Sequence, residues 1–415
     1  MTKKNLWITL LLTNLCIVAL LGTTLRTKFL FPLSFLNYQN FLSAHSHFAF
    51  GGWVTLGLMV LSIDKLLDEE QQQKRIYQWM LWGIEINSFG MLLTFPFEGY
   101  ALLSIIFSTA FIFFTYAFSW VFIHDIKKTS RPMPVKLLSL IALSCLVISS
   151  AGPFTLAYIL ASQTGDAILY KDAIYFYLHF QYNGFFTLSV FALFLNRVAG
   201  NVSGRAGKKL SRFALLLCLS IVPAFFLTLL WHADNVFVRG MAFGGCALIF
   251  LTLAAFCALV FDKNIFTMRA SGLASTLLLL SMVSFAIKMI LQMGTIIPSL
   301  ANAVFGYRPI IIGFLHLVFL GFVSFYILSS FWEDAAFPLQ KKISAVAVIF
   351  FAVAVILNET ILLVDGIGLM LYVTYSIYPW LLWAAAILLL SSAILMLTAR
   401  LKAPAHRLMI TKAIV

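Results

Sequence analysis

Apolar runs long enough to cross a lipid bilayer follow one another along almost the whole of this chain, and that feature decides its solvent. A hydrocarbon core of about 30 Å needs about 20 consecutive apolar residues in a helix. Backbone within it must satisfy its own hydrogen bonds, which leaves helices or a closed barrel. Stretches of helical length lie at 5–25, 41–63, 77–97, 100–124, 135–162 and 172–196, then at 211–232, 237–261, 271–294, 309–331, 342–363 and 378–399. The longest polar intervals are 64–76, 125–136 and 197–212. The expected fold is an all-α polytopic membrane protein of about 12 transmembrane helices, one integral membrane domain over residues 1–415. Only 10% of residues are charged, against roughly 25% in soluble domains, so no soluble domain is expected.

The formal charge of +13 points to topology rather than to nucleic acid, because the basic residues are scattered through short loops. With the N-terminus in the cytoplasm, 22 Lys and Arg residues fall on the inner side, among them Lys263, Arg269, Lys341, Arg407 and Lys412. Five fall outside (Arg26, Lys28, Lys171, Arg239 and Arg308), and Lys288 lies within a span. The positive-inside rule then puts both termini on the cytoplasmic side of the cell inner membrane. Lys3 and Lys4 precede an apolar segment without a clear small-x-small cleavage site, so an uncleaved first helix is expected. Cys16, Cys145, Cys218, Cys246 and Cys257 sit in apolar runs with no CxxC pair, which argues against a disulfide framework or thiolate metal site.

Within the second run stands His47-Phe48-Ala49-Phe50-Gly51-Gly52-Trp53, and reduced copies of it occur twice more. They are His179-Phe180-Gln181-Tyr182-Asn183-Gly184-Phe185 and His316-Leu317-Val318-Phe319-Leu320-Gly321-Phe322. The spacings are 132 and 137 residues, near thirds of the 415-residue chain. Phe is abundant and matches by chance. Three of only seven histidines in one register with a Gly do not. The pattern reads as a threefold internal repeat on the second, sixth and tenth spans. Each histidine lies seven residues beyond an expected helix start (Asn40, Asp172, Pro309), about 10 Å deep at 1.5 Å per residue. His232 is slightly shallower, and His124 and His406 belong to the cytoplasmic side.

Ionisable residues inside spans are costly and usually functional, and neutral imidazole ligates haem iron, copper and zinc. His47, His179 and His316 are therefore the expected ligands, with His232 as a further metal ligand. Haem suits the surroundings: Phe50, Tyr182, Phe319, Trp53 and Phe185 would wall a flat apolar slot. Gly52, Gly184 and Gly321 would admit a macrocycle or a neighbouring helix. His45 points about 200° away from His47 on a helix, so the two would address different sites, His45 as a ligand or propionate partner. Tyr182, three residues past His179, reads as packing. Glu85, Lys288, Arg308 and Glu359 are candidates for propionate pairing or a proton path; Asn87 and Asn358 are further polar residues within spans.

The run His45-Ser46-His47-Phe48-Ala49-Phe50-Gly51-Gly52-Trp53 resembles the His-x-His-x-x-x-x-Gly-Trp signature of haem–copper oxidase catalytic subunits, especially C-type oxidases and nitric oxide reductases. His179-Phe180-Gln181-Tyr182-Asn183-Gly184-Phe185-Phe186 is similar to their copper-ligand helix. The related NnrS family is similar in length, span count and a His-x-His helix. The motifs cover about 25 residues. What the resemblance implies is three arcs of four helices, haem b, copper, and oxidoreductase chemistry in respiratory electron transfer or on nitric oxide or oxygen. It also implies His47 and His316 as a shared pair of haem ligands. The chain departs from that pattern. Helix 7 offers only His232 where a His-His pair is expected, helix 10 offers only His316, and the His-x-His pattern stands on helix 2. The copper site is therefore expected to be incomplete. With no CxxCH, an electron donor is expected to be a separate protein or a quinol. The expected partners are otherwise the lipid bilayer and a small gaseous or redox ligand. The alternative from another class is a twelve-helix secondary transporter with histidines in the substrate or proton path, whose broken helices would be sought at Gly152-Pro153 and Pro223.

Overall fold

The computed structural model describes residues 3–199, 204–233, 235–262, 272–334 and 342–402. His406 and the basic residues Lys263, Arg269, Lys341, Arg407 and Lys412 lie outside the described residues. Each apolar run forms a helix, and no strand occurs among the described residues. The long helices are α1 (Lys3–Leu30), α2 (Tyr38–Leu66), α3 (Arg75–Glu98), α4 (Leu102–Lys128), α5 (Met133–Ser162) and α6 (Ala167–Val198). They continue as α7 (Arg205–Leu229), α8 (Val236–Val260), α9 (Gly272–Gly294), α10 (Arg308–Glu333), α11 (Lys342–Met370) and α12 (Ile377–Leu401). Eleven are long and apolar enough to cross a membrane. α3 has the length, 24 residues, but Arg75, Gln78, Glu85, Asn87 and Glu98 dilute its apolar character. The chain is a polytopic helical membrane protein.

Consecutive long helices pack on one another from α1 to α12, and α12 returns to α1. That closure is held by Thr23 Oγ1 donating to the Ala386 carbonyl (3.1 Å) and by Trp383 Nε1 donating to Thr27 Oγ1 (3.0 Å). α2, α6 and α10 meet in the middle. Phe50, Phe186 and Phe319, one from each, are in mutual ring contact at 4.4–5.7 Å between centroids. Trp53 of α2 reaches Ser324 of α10 through Nε1 at 2.7 Å. Large side chains such as Phe97, Trp120 and Val236 face outward, as a bundle solvated by lipid requires. At the end of the bundle carrying Lys4, a charge network joins four helices. Lys4 pairs with Asp64 (2.8 Å) and Asp334 (3.0 Å), Lys65 pairs with Asp334 (2.5 Å), and Arg197 pairs with Glu333.

The three copies of the repeat share a local structure that sequence periodicity does not announce. Just past each histidine the α-helix widens into a π segment: Ala49–Thr55, Phe180–Phe186 and Leu317–Ser324. π segments bond i to i+5, are rare, and concentrate at functional sites. Eight residues beyond each histidine stands a hydroxyl: Thr55, Thr187 and Ser324. Two of these close the widened turn, Thr187 Oγ1 on the Tyr182 carbonyl (2.5 Å) and Ser324 Oγ on the Phe319 carbonyl (2.7 Å). The repeat is thus longer than the seven-residue pattern, and its hydroxyl has a backbone task.

Candidate functional site

The four candidate histidines sit in four different hydrogen-bonding states. His179 is fully buried, with 0% exposure. Its Nε2 donates to the Ile221 carbonyl of α7 at 2.8 Å, and its Nδ1 accepts from Asn183 Nδ2 at 3.0 Å. Both ring nitrogens are occupied. His47 donates from Nδ1 to the Ser43 carbonyl one turn back (2.9 Å), which leaves the Nε2 lone pair available. Its ring lies against Phe95 and Tyr100, 4.5 and 5.8 Å between centroids. This is the tautomer that suits a metal ligand, because the backbone bond orients the ring and fixes the proton.

His45 turns the other way, as its two-residue offset requires. It meets α1 at Gly22, where a Cβ would come within 3.3 Å of the ring. Its buried Nδ1 has no hydrogen-bond partner. His316 lies on α10, with Nδ1 3.2 Å from Asn358 Nδ2 of α11. Arg26 and His45 are within electrostatic reach of it. The helices therefore bring His45, rather than His47, towards His316.

The remaining candidates divide. Glu359 accepts from Asn358 Nδ2 at 2.9 Å, so one amide touches both His316 and Glu359. Arg308 hydrogen-bonds Tyr38. Arg26 is in electrostatic reach of Tyr38, Arg308, Glu359 and Asp365. These groups gather beside His316. Glu85 lies elsewhere, buried at the junction of α1, α2 and α3. Asn14 Nδ2 bridges its carboxylate (2.9 Å) to the Gly52 carbonyl of the first π segment (2.7 Å). Lys288, 1% exposed, reaches Thr187 Oγ1 at 3.4 Å and lies 5.9 Å from the Tyr182 ring. His232 is exposed at its helix end and pairs with Asp172 at 2.8 Å. His124 is exposed near the end of α4.

Two of the three repeat glycines admit a neighbouring helix, whereas a Cβ on Gly52 would meet the Phe48 ring of its own helix at 2.9 Å. A Cβ on Gly184 would lie 2.4 Å from Cys145 Cβ of α5, and one on Gly321 would lie 2.8 Å from Ser284 Oγ of α9. Sequence reasoning missed Arg26 as a member of the cluster, the Asn183 partner of His179 and the π segments. For the last, the repeated hydroxyl was the available signal.

The donor set can be tested against the two expected groups. For haem, one or two imidazoles with an open nitrogen suffice; His45 and His47 each present one, and buried His45 Nδ1 has no hydrogen-bond partner. Haem fits. A copper site of three histidines does not. His179 has no open nitrogen, and no group of three His, Cys, Asp or Glu able to hold a metal ion occurs among the described residues. No family model matches the chain, and comparison with curated proteins finds no match.

Proposed function

We propose that this chain is a haem-b-binding redox protein of the cell inner membrane. In this reading twelve transmembrane helices form three arcs of four around α2, α6 and α10, and both termini are cytoplasmic. The observation that carries it is the unsatisfied buried nitrogen of His45, in reach of His316 and Arg26. His45 ligates through Nδ1. His316 ligates through Nε2 once the Asn358 amide, whose Nδ2 faces Nδ1 in this structure, turns its oxygen to Nδ1–H and so fixes the tautomer. His47, on the opposite side of α2, is the ligand for a second position. Arg26 and Arg308 supply the cations that propionates need, and Phe50, Phe186 and Phe319 exclude water from the centre of the bundle. When bound, haem would supply one-electron transfer and the capacity to bind a small gas.

The resemblance to haem–copper oxidase catalytic subunits and to the NnrS family supports a role in respiratory electron transfer or in handling oxygen or nitric oxide. The threefold π segments support three arcs, and the Lys and Arg asymmetry supports the orientation. Copper is left out of the reading because its donors are not gathered. Purification from a haem-replete host, followed by a pyridine haemochrome assay, tests the proposal: at least one haem b per chain is expected. A colourless, folded protein would replace it with the transporter reading. That alternative draws on the break of α5 at Ser150 and the 3₁₀ turn Phe226–Leu229 that ends α7 after Pro223.

A further inference from the structure

α7 presents an outward stripe that changes from basic to aliphatic along the helix. Arg205, Lys208, Arg212, Leu215, Leu219 and Val222 follow one another at spacings of three and four residues, which puts them on one face. All six are exposed, the three aliphatic ones at 51%, 52% and 57%. The other side of the helix, with Leu210, Phe213, Ala214 and Leu217, is buried in the bundle.

The basic half of the stripe lies at the end of the bundle that carries the Lys4 network, where other cations find partners within the protein. Lys4, Lys65 and Arg197 are paired as described, Lys74 pairs with Asp125 (2.6 Å), and Lys209, one residue off the stripe, pairs with Asp262 (2.5 Å). Among the described residues Arg205, Lys208 and Arg212 have no such partner for their side chains. The intervals 200–203 and 263–271, outside the described residues, contain no Asp or Glu. Like charges three and four residues apart on a helix repel, and Arg205 and Lys208 stand in the first turn, where the helix dipole disfavours cations. An anion supplied from outside the chain would relieve both costs.

The aliphatic half decides what kind of anion. From Arg212 to Val222 is about 15 Å along the axis at 1.5 Å per residue, half of a hydrocarbon core of about 30 Å. Trp79 and Trp120, 71% and 81% exposed, stand four and eight residues in from the ends of α3 and α4 on this side, and Arg212 stands seven in from the start of α7. Exposed Trp marks the level of the headgroups, so Arg212 lies there too. A soluble anion or an acidic peptide would meet the three cations alone. A phospholipid meets the whole stripe.

We infer that this face of α7 binds an anionic phospholipid, with its phosphate on Arg205, Lys208 and Arg212 and an acyl chain along Leu215, Leu219 and Val222. The inference does not rest on the haem.

The test uses the full-length protein in detergent, titrated with phosphatidylglycerol and with phosphatidylcholine of the same chains, with bound lipid read by native mass spectrometry. One phosphatidylglycerol per chain is expected, held at least tenfold more tightly than phosphatidylcholine. Lys208→Gln/Arg212→Gln should weaken phosphatidylglycerol roughly 10- to 30-fold, with phosphatidylcholine binding and elution volume unchanged. Lys127→Gln/Lys128→Gln removes the same charge from α4, where adjacent residues point about 100° apart, and should leave the preference in place. Equal losses in the two double variants would show an effect of net charge alone and would overturn the site. So would the absence of any preference in the unaltered protein. Displacement of phosphatidylglycerol by an equal concentration of glycerol 3-phosphate, a headgroup without chains, would overturn the lipid assignment in favour of a free phosphate.

Discussion

An imidazole's chemistry depends on which of its nitrogens is already engaged, and residue by residue the repeat histidines differ in this. His179 is bonded at both, to Ile221 and Asn183, so its role is to join α6 to α7. His179→Ala would orphan the Ile221 carbonyl and the Asn183 amide, at roughly 1–3 kcal/mol for each buried group. The thermal midpoint should fall markedly while haem per folded chain stays unchanged. Loss of haem at unchanged stability would make His179 a ligand after all. Asn358 is the converse case, a positioning residue. Asn358→Asp offers Nδ1–H of His316 a constant acceptor and should leave haem retention intact; Asn358→Leu removes the orienting partner and should lower retention, typically 10- to 100-fold for an outer-shell partner. Equal retention in both variants would show that the tautomer is not set there.

At the scale of elements, the π segments and the glycine contacts within them are the specific devices. Gly184 presses on Cys145, and an added Cβ would overlap it at 2.4 Å. Gly184→Ala should therefore destabilise by about 1–3 kcal/mol through overpacking. Gly207→Ala on α7 has open space around it and should be neutral or slightly stabilising through helix propensity. Thermal unfolding followed by fluorescence-detected size exclusion compares the two, and equal midpoints would contradict the packing account.

Helix positions were legible in the sequence, with stretches such as 237–261 and 271–294 appearing as Val236–Val260 and Gly272–Gly294. Bilayer thickness imposes that length directly. The π segments were not legible, because apolar periodicity is nearly blind to one extra residue per turn. The repeat histidines were legible as a set, but their roles were not. Whether a ring nitrogen meets Ile221, Asn358 or nothing is decided by how α7, α11 and α1 pack, and that packing leaves no local pattern.

For the whole molecule, closure of α12 onto α1 and the convergence of α2, α6 and α10 set the frame in which any cofactor must sit. The proposed orientation makes a further prediction: reporters fused after Glu70 and after Arg212 should read cytoplasmic, and one after Thr374 external. The opposite readings would move the histidine cluster to the inner face. The most direct measurement of the central claim is the dithionite-reduced-minus-oxidised optical spectrum of the purified protein beside His45→Ala, His316→Ala, His179→Ala and His124→Ala. The account predicts a b-type spectrum in the unaltered protein and in His179→Ala and His124→Ala, per folded chain. It predicts loss of the low-spin signal, with carbon-monoxide reactivity gained, in His45→Ala and in His316→Ala. A b-type spectrum left unchanged by both substitutions would contradict it.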